Sequence, residues 1–327
     1  MPGDYCLHTY SGNPVLQDDC TADLCMPQCG QINYEPTLAG NAVYLAFFVL
    51  LFIAQLFLCI RYKTFGFLIG MFGGIALEAL GYGGRVGLNQ DIFNFNWFLL
   101  YLIPLTIGPA FLSGSIYICL GRIININGVN LSRFSPRTYA MVFVACDLLS
   151  LILQAAGGGI AATADTPDSS NTGKNVMIAG LVFQVFSLLL FLAFWGEFAL
   201  RVRKAGEAQK NTDYASLRAS RYFHWFQYSL LAATILILIR SIFRVVELQG
   251  GFDGTVANNE ASFMVFEGPM IILAVGALTV CHPGLALRGA WQTAAWSFKK
   301  NVKQDVGVVE MNTKYDYASS AEINTHA

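Results

Sequence analysis

The sequence predicts an all-α membrane protein: a seven-transmembrane-helix bundle with its N-terminus outside and its C-terminus cytosolic. Three observations predict it. Hydrophobic residues make up 55% of the 327-residue chain and charged residues only 13%, whereas an ordinary soluble domain is about a quarter charged. Mean hydropathy is +0.50, and seven stretches are each long and apolar enough to cross a bilayer, which takes about 20 residues. The basic residues gather on alternate connections between those stretches. This composition excludes a disordered chain and an ordinary soluble enzyme. With 20 basic and 21 acidic residues it also leaves no electrostatic footprint for nucleic acid.

The spans are expected at Gly40–Tyr62, Phe65–Gly84, Asn96–Ile124, Tyr139–Ala162, Val176–Val202, Tyr222–Leu248 and Ser262–Leu287. They are apolar all round rather than alternating with a period of two, so helices and not strands are predicted. The third contains Pro104 and Pro109, either of which can kink a helix. Gly66, Gly70 and Gly74 recur every four residues in the second, a small-residue face for close helix packing.

Orientation follows from the charges. Arg61 and Lys63 lie between spans one and two. Arg122, Arg133 and Arg137 lie between three and four. Arg201, Arg203, Lys204, Lys210, Arg218 and Arg221 lie between five and six. Arg288, Lys299, Lys300, Lys303 and Lys314 follow span seven. Together these are sixteen of the 20 basic residues, and residues 1–39 contain none. The opposite connections hold little more than Arg85 and Lys174. Residues 1–39 therefore read as an extracellular cysteine-containing tail, residues 40–287 as the transmembrane domain, and residues 288–327 as a cytosolic, mostly disordered tail. No basic n-region or apolar h-region marks a cleavable signal peptide.

Cys6, Cys20, Cys25 and Cys29 fall in the outside tail, where an oxidising compartment favours two disulfides in one of three connectivities. A zinc site on Cys20-x4-Cys25-x3-Cys29 is the alternative, but its spacing and compartment are unfavourable and no metal is expected. Cys59, Cys119, Cys146 and Cys281 lie within or at the inner ends of spans and read as small packing residues.

Charges inside spans are the functional candidates, because each costs at least about 2.5–3.5 kcal/mol to insert. Glu78, Tyr82 and Arg85 share one face of span two. Arg240, Arg244 and Glu247 share one face of span six, and Glu267 lies beside Pro269 in span seven. The topology puts these groups at similar outer depths, where they are expected to form one outward-opening cluster. With three acids and three arginines such a cluster can be nearly neutral, and it is either an ion-pair network that locks helices together or a headgroup site, the two being compatible. Depth alone pairs Glu78 with Arg240. Span four carries Asp147, Ser150 and Gln154 on one face before Gly157-Gly158-Gly159. No basic residue matches the depth of Asp147, so a hydrogen bond to a neighbouring helix is expected there, with proton coupling as the functional alternative.

Other chemistries lack their residues. The four histidines, His8, His224, His282 and His326, form no HxxxH or HExxH pattern, so no intramembrane zinc hydrolase is expected. Span seven has no lysine for a retinal Schiff base, and no GxxxxGK[ST] is present for an ATP-driven pump. Neither enzymatic activity nor a cofactor is predicted.

The chain resembles the fungal RTA-like, or lipid-translocating exporter, family of seven-span proteins, which includes sphingoid long-chain-base transporters. The resemblance is carried by Tyr34-Glu-Pro-Thr, Glu78-Ala-Leu-Gly-Tyr-Gly-Gly-Arg85, Pro109-Ala-Phe-Leu-Ser-Gly-Ser-Ile-Tyr117, the run Cys146–Gly159, Arg240-Ser-Ile-Phe-Arg-Val-Val-Glu247 with Glu260, and His282-Pro-Gly. It covers roughly residues 30–288. It implies a plasma-membrane protein that moves lipids or lipid-like amphiphiles, such as a sphingoid base, and contributes to resistance to membrane-active compounds. It supplies no agreed transport residue. The functional expectation is therefore a lipid or amphiphile translocator. The substrate-site candidates are Glu78, Tyr82, Arg85, Asp147, Gln154, Arg240, Arg244, Glu247 and Glu267. The rival is a seven-helix receptor or sensor of lipid stress, which has the same layout. Against it, span three ends Leu120-Gly-Arg-Ile-Ile, without the Asp/Glu-Arg-Tyr triplet of G-protein-coupled receptors.

Overall fold

Seven long apolar helices, each able to cross a membrane, make up most of the computed structural model. It describes residues 5–6, 9–10, 14–16, 19–21, 23–30, 32, 34–163, 166–250, 254, 258–287 and 289–294, all within one unit. Arg288, Lys299, Lys300, Lys303, Lys314, His8 and His326 lie outside the described residues. The helices are α1 (Leu38–Tyr62), α2 (Phe65–Gln90), α3 (Phe95–Asn127), α4 (Pro136–Ala162), α5 (Pro167–Lys204), the short α6 (Ala215–Arg218), and α7 (Arg221–Gln249). The seventh span is assembled from α8 (Glu260–Phe266), α9 (Gly268–Val280) and α10 (Pro283–Ala286). The chain is thus an integral, multi-pass membrane protein.

The expected spans are all present, with three differences. The second does not stop at Gly84: α2 runs on to Gln90, so Arg85 is a buried helical residue and not part of a connection. The fifth begins at Pro167 rather than Val176, because the Thr166 side chain caps it by accepting from the Ser169 N–H. Lys174 is consequently helical too. The seventh is not one helix. It breaks at Glu267, ahead of Gly268-Pro269, where proline has no N–H with which to continue the ladder.

The glycine face of span two does what its spacing predicts, against α3. A Cβ on Gly70 would meet Ser115 Oγ at 2.2 Å and the Phe111 carbonyl at 2.7 Å. The contact continues beyond the predicted face to Gly84, where a Cβ would lie 2.6 Å from the Tyr101 backbone nitrogen. By contrast, Pro104 and Pro109 do not end α3, which is continuous over 33 residues. Helices α4 and α5 form a second close pair and α7 packs on α9.

Near the C-terminal end of α3, the connection 205–220 and residues 289–294 both bond to that helix. There Arg218 donates to Ile126 O, Asn125 donates to Ala294 O, and Arg122 stacks over the Trp291 ring at 4.1 Å. Residues 289–294 are therefore held against α3. At the other end the tail packs on Phe93. Strands β1 (Tyr5–Cys6) and β2 (Val15–Leu16) pair antiparallel there, a small sheet with no signal in the hydropathy pattern. The tail holds two disulfides, Cys6–Cys29 and Cys20–Cys25. The zinc alternative is set aside: the sulfurs of Cys6, Cys20 and Cys25 do lie close together, but all three are oxidised, and the thiolate is the metal ligand.

Candidate functional site

The late turns of α2 and α7, the middle of α3 and the break in the seventh span converge at the end of the bundle that carries the tail. Pro109 prepares the meeting point. Lacking an N–H, it leaves the Leu105 carbonyl without its helical donor, and Arg240 from α7 supplies one through Nη2. The same nitrogen binds Glu267 Oε1 at the break between α8 and α9. Arg244, one turn further along α7, donates to Glu247 Oε2 at 2.6 Å and stands 3.9 Å from Glu267 Oε1. Glu78 completes the group from α2, with Oε1 3.9 Å from Arg240 Nη2.

Arg240 is thus bonded first to Glu267, not to Glu78 as depth alone suggests. Both Glu78 oxygens lack a hydrogen-bond partner, as do Glu267 Oε2 and the Tyr82 hydroxyl. Three carboxylates face two guanidiniums, a formal surplus of one negative charge. Burial is extreme. These five residues and Arg85 are each 5% exposed or less. The expected outward opening is therefore absent from this conformation, because rings close over the group. The Tyr82 ring stacks on Phe48 and meets Tyr44 edge-on. Its hydroxyl lies so close to Gly268 that a Cβ there would come within 2.7 Å of it. A glycine after Glu267 is what lets the broken span approach Tyr82.

Arg85 stands apart from the acids. Its Nε donates to Asn41 Oδ1 at 2.9 Å and its Nη2 to the Tyr34 hydroxyl at 3.0 Å. The guanidinium lies 3.9 Å from the Phe263 ring centroid and 4.9 Å from that of Tyr101. Cation–π contact in a desolvated site replaces an ion pair here. Just outside, the Glu260 carboxylate accepts from the Thr37 N–H at 2.6 Å and from its hydroxyl at 2.8 Å. The stretch Tyr34–Thr37 and Glu260 thus clamp the entry of α1 to α8.

Residues 71–290 match the family described as RTA1 like protein. The chain belongs to this family. The sphingoid long-chain base transporter RSB1 of Saccharomyces cerevisiae (strain Lalvin EC1118 / Prise de mousse) is 34% identical over an alignment of 240 residues that covers 65% of this chain and 63% of that protein. Protein RTM1 of Saccharomyces cerevisiae is 30% identical over 215 residues, 65% of this chain and 66% of that one. Protoporphyrin uptake protein 1 of Saccharomyces cerevisiae (strain ATCC 204508 / S288c) is 30% identical over 213 residues, 65% of this chain and 67% of that one. The chain spans 63% of the length of the first of these relatives. No solved structure matches it.

The remaining candidates of this RTA1-like chain form a separate polar seam between α3, α4 and α5. Asp147 Oδ2 accepts from the Tyr117 hydroxyl at 3.0 Å, the interhelical hydrogen bond expected for it. Gln154 donates to Ser150 Oγ at 2.7 Å and to Gln184 Oε1 at 3.2 Å, and Ser150 donates to the Gly180 carbonyl at 2.8 Å. No bond links this seam to the ion-pair cluster among the described residues. Sequence reasoning passes over Asn41, Tyr101 and Phe263 as site residues. For Tyr34 and Glu260 a signal exists, since both lie in stretches that carry the family resemblance.

Proposed function

We propose that the protein is a plasma-membrane translocator of lipid-like amphiphiles, not an enzyme. The proposal is that its ion-pair cluster holds the cationic head group of a substrate such as a sphingoid base. The observation that carries this reading is Glu78. It is a fully buried carboxylate with no hydrogen-bond partner on either oxygen, in a cluster with one acid in surplus. A carboxylate buried within a membrane without hydrogen bonds, its nearest cation 3.9 Å away, is costly, and a bound amine would compensate it. Its hydrocarbon chain would remain in lipid between the helices.

Two further features favour transport. The cluster sits at a broken helix, and discontinuous helices near paired charges are where many transporters build substrate sites. The named activities of RSB1 and protoporphyrin uptake protein 1 both concern the passage of amphiphiles. Because the cluster is closed, substrate access requires the seventh span to move away from α2. The break at Glu267 is the joint at which it bends. In the absence of an ATP-binding motif, movement would follow a substrate or proton gradient. A role in resistance to membrane-active compounds would follow from such export.

Purified protein in liposomes tests this against the receptor reading. It is expected to speed the transbilayer movement of a labelled long-chain base well above that of a matched neutral alcohol. Flux equal to that of protein-free vesicles for a panel of cationic, neutral and anionic amphiphiles would contradict it and leave the receptor reading standing.

A further inference from the structure

A second site lies at the opposite end of the bundle, away from the ion-pair cluster. Helices α5 and α7 run antiparallel there and part to leave a cavity of about 500 Å³, within the range of sites that hold small ligands. On α5 its wall is Leu192, Trp195, Ala199 and Val202, spaced i, i+3, i+7 and i+10 along one face. On α7 it is Phe223, Gln227 and Leu231, spaced i, i+4 and i+8. From Leu192 to Arg203 the cavity follows about eleven residues of helix, a length of about 16 Å. Its centre, near Gln227, is about 20 Å along α7 from Arg240.

The two ends of this cavity differ in chemistry. The deep end is hydrocarbon and aromatic. The mouth carries Arg203, Lys210 and Arg218 against one acid, Glu207. Lys210 and Arg218 are 15% and 10% exposed, yet both lean on Glu207, which is 75% exposed, at 2.7 and 3.1 Å. Arg203 makes no ion pair among the described residues. Two nearly buried cations sharing one solvated carboxylate, beside a third with none, leave positive charge unmatched at the cavity mouth. The positive-inside tendency accounts for basic residues on this connection. It does not account for folding Lys210 and Arg218 over an apolar slot. Tyr228 on its α7 wall is 57% exposed, whereas Trp195 and Phe223 are buried.

We infer that this slot binds an amphiphile with an anionic head group. Phosphate or carboxylate sits among Arg203, Lys210 and Arg218, and the chain lies along Trp195 toward Leu192 and Leu231. The charge preference is the reverse of that proposed for the Glu78 cluster, so the two sites take different lipids and the inference does not depend on the first.

Equilibrium binding of radiolabelled hexadecyl phosphate to the purified full-length protein in neutral detergent tests this. Unlabelled hexadecyl phosphate, hexadecylamine and inorganic phosphate serve as competitors. Two variants act on the two halves of the site. Arg203→Gln with Lys210→Gln removes charge and spares Arg218, whose bonds to Ile126 O and Asn211 O hold the fold. Gly196→Leu fills the slot from its wall, where a Cβ meets nothing within 4 Å. Saturable binding is expected, displaced by hexadecyl phosphate and not by hexadecylamine. The charge variant should weaken it at least about tenfold, the value of one or more lost charge-assisted hydrogen bonds. Gly196→Leu should weaken it similarly, with an unchanged melting temperature. Binding that is undiminished in both variants, or displaced equally by the amine, would overturn the assignment. Displacement by inorganic phosphate as effective as by hexadecyl phosphate would overturn its amphiphile half. In Glu78→Gln the affinity should stay as in the unaltered protein. That outcome separates this site from the cluster.

Discussion

Arg240 and Glu78 approach within 3.9 Å, yet they should respond differently to mutation. Arg240 satisfies Glu267 and the Leu105 carbonyl that Pro109 leaves open. Arg240→Gln therefore strands a buried carboxylate, which typically costs about 3–5 kcal/mol. The expected result is loss of folded protein, read as a collapsed monodisperse peak on size-exclusion chromatography. The compensating change is Glu267→Gln in the same molecule, since Glu267 and not Glu78 is the bonded partner. Rescue by Glu78→Gln but not by Glu267→Gln would show this pairing to be wrong. At this scale charge is legible in the sequence and partnership is not. Glu78, Arg240, Arg244, Glu247 and Glu267 stand out because carboxylates and guanidiniums are expensive in apolar helices. Whether Arg240 turns to Glu78 or Glu267 depends on ångström-scale helix rotation, to which hydropathy is blind. Leu105 leaves no trace, because a carbonyl freed by a proline four residues later looks like any other leucine.

Helix α2 meets α3 through glycine, and the four-residue spacing of Gly66, Gly70 and Gly74 is enough to announce that contact. It does not announce how uneven the contact is. A Cβ at Gly66 would find only Ile118 at 3.9 Å, whereas one at Gly70 would strike the Phe111 carbonyl at 2.7 Å, which the helix cannot move aside. Gly70→Ala should therefore destabilise the protein by about 1–3 kcal/mol, the usual range for overpacking, and lower its melting temperature in detergent. Gly83→Ala, facing open space, should leave it unchanged or slightly raised. Equal effects at the two positions would argue against this packing. The seventh span shows the opposite case. Its composition reads as one apolar span from Ser262 to Leu287, with Pro269 beside Glu267. At the break Glu267 also bonds to Arg240, a tertiary contact that no local pattern contains.

At the scale of the molecule, the count and order of the spans are legible because bilayer thickness and hydropathy fix them. The disulfide partners are not, since four cysteines allow three pairings and only the folded tail selects one. Mass spectrometry of unreduced protein should find peptides joined as Cys6–Cys29 and Cys20–Cys25, and any other linkage would contradict the tail fold. Orientation rests on the basic residues. A tag placed after Ala327 should resist protease added to intact cells, and its cleavage there would reverse the assignment of outside and inside.

Transport by this bundle depends on whether the surplus acid of the cluster meets a cationic substrate. Glu78 accepts no hydrogen bond in the closed cluster, so Glu78→Gln keeps its shape and should fold normally while losing the charge. The decisive measurement is liposome flux of a labelled long-chain base relative to its neutral alcohol analogue, for the unaltered protein and for correctly folded Glu78→Gln. Flux of the base is expected to fall by about tenfold or more, as for a lost charge-assisted contact, while flux of the alcohol changes little. Flux of the base at the unaltered level in the folded variant would contradict it, and the cluster would then serve only to brace the helices.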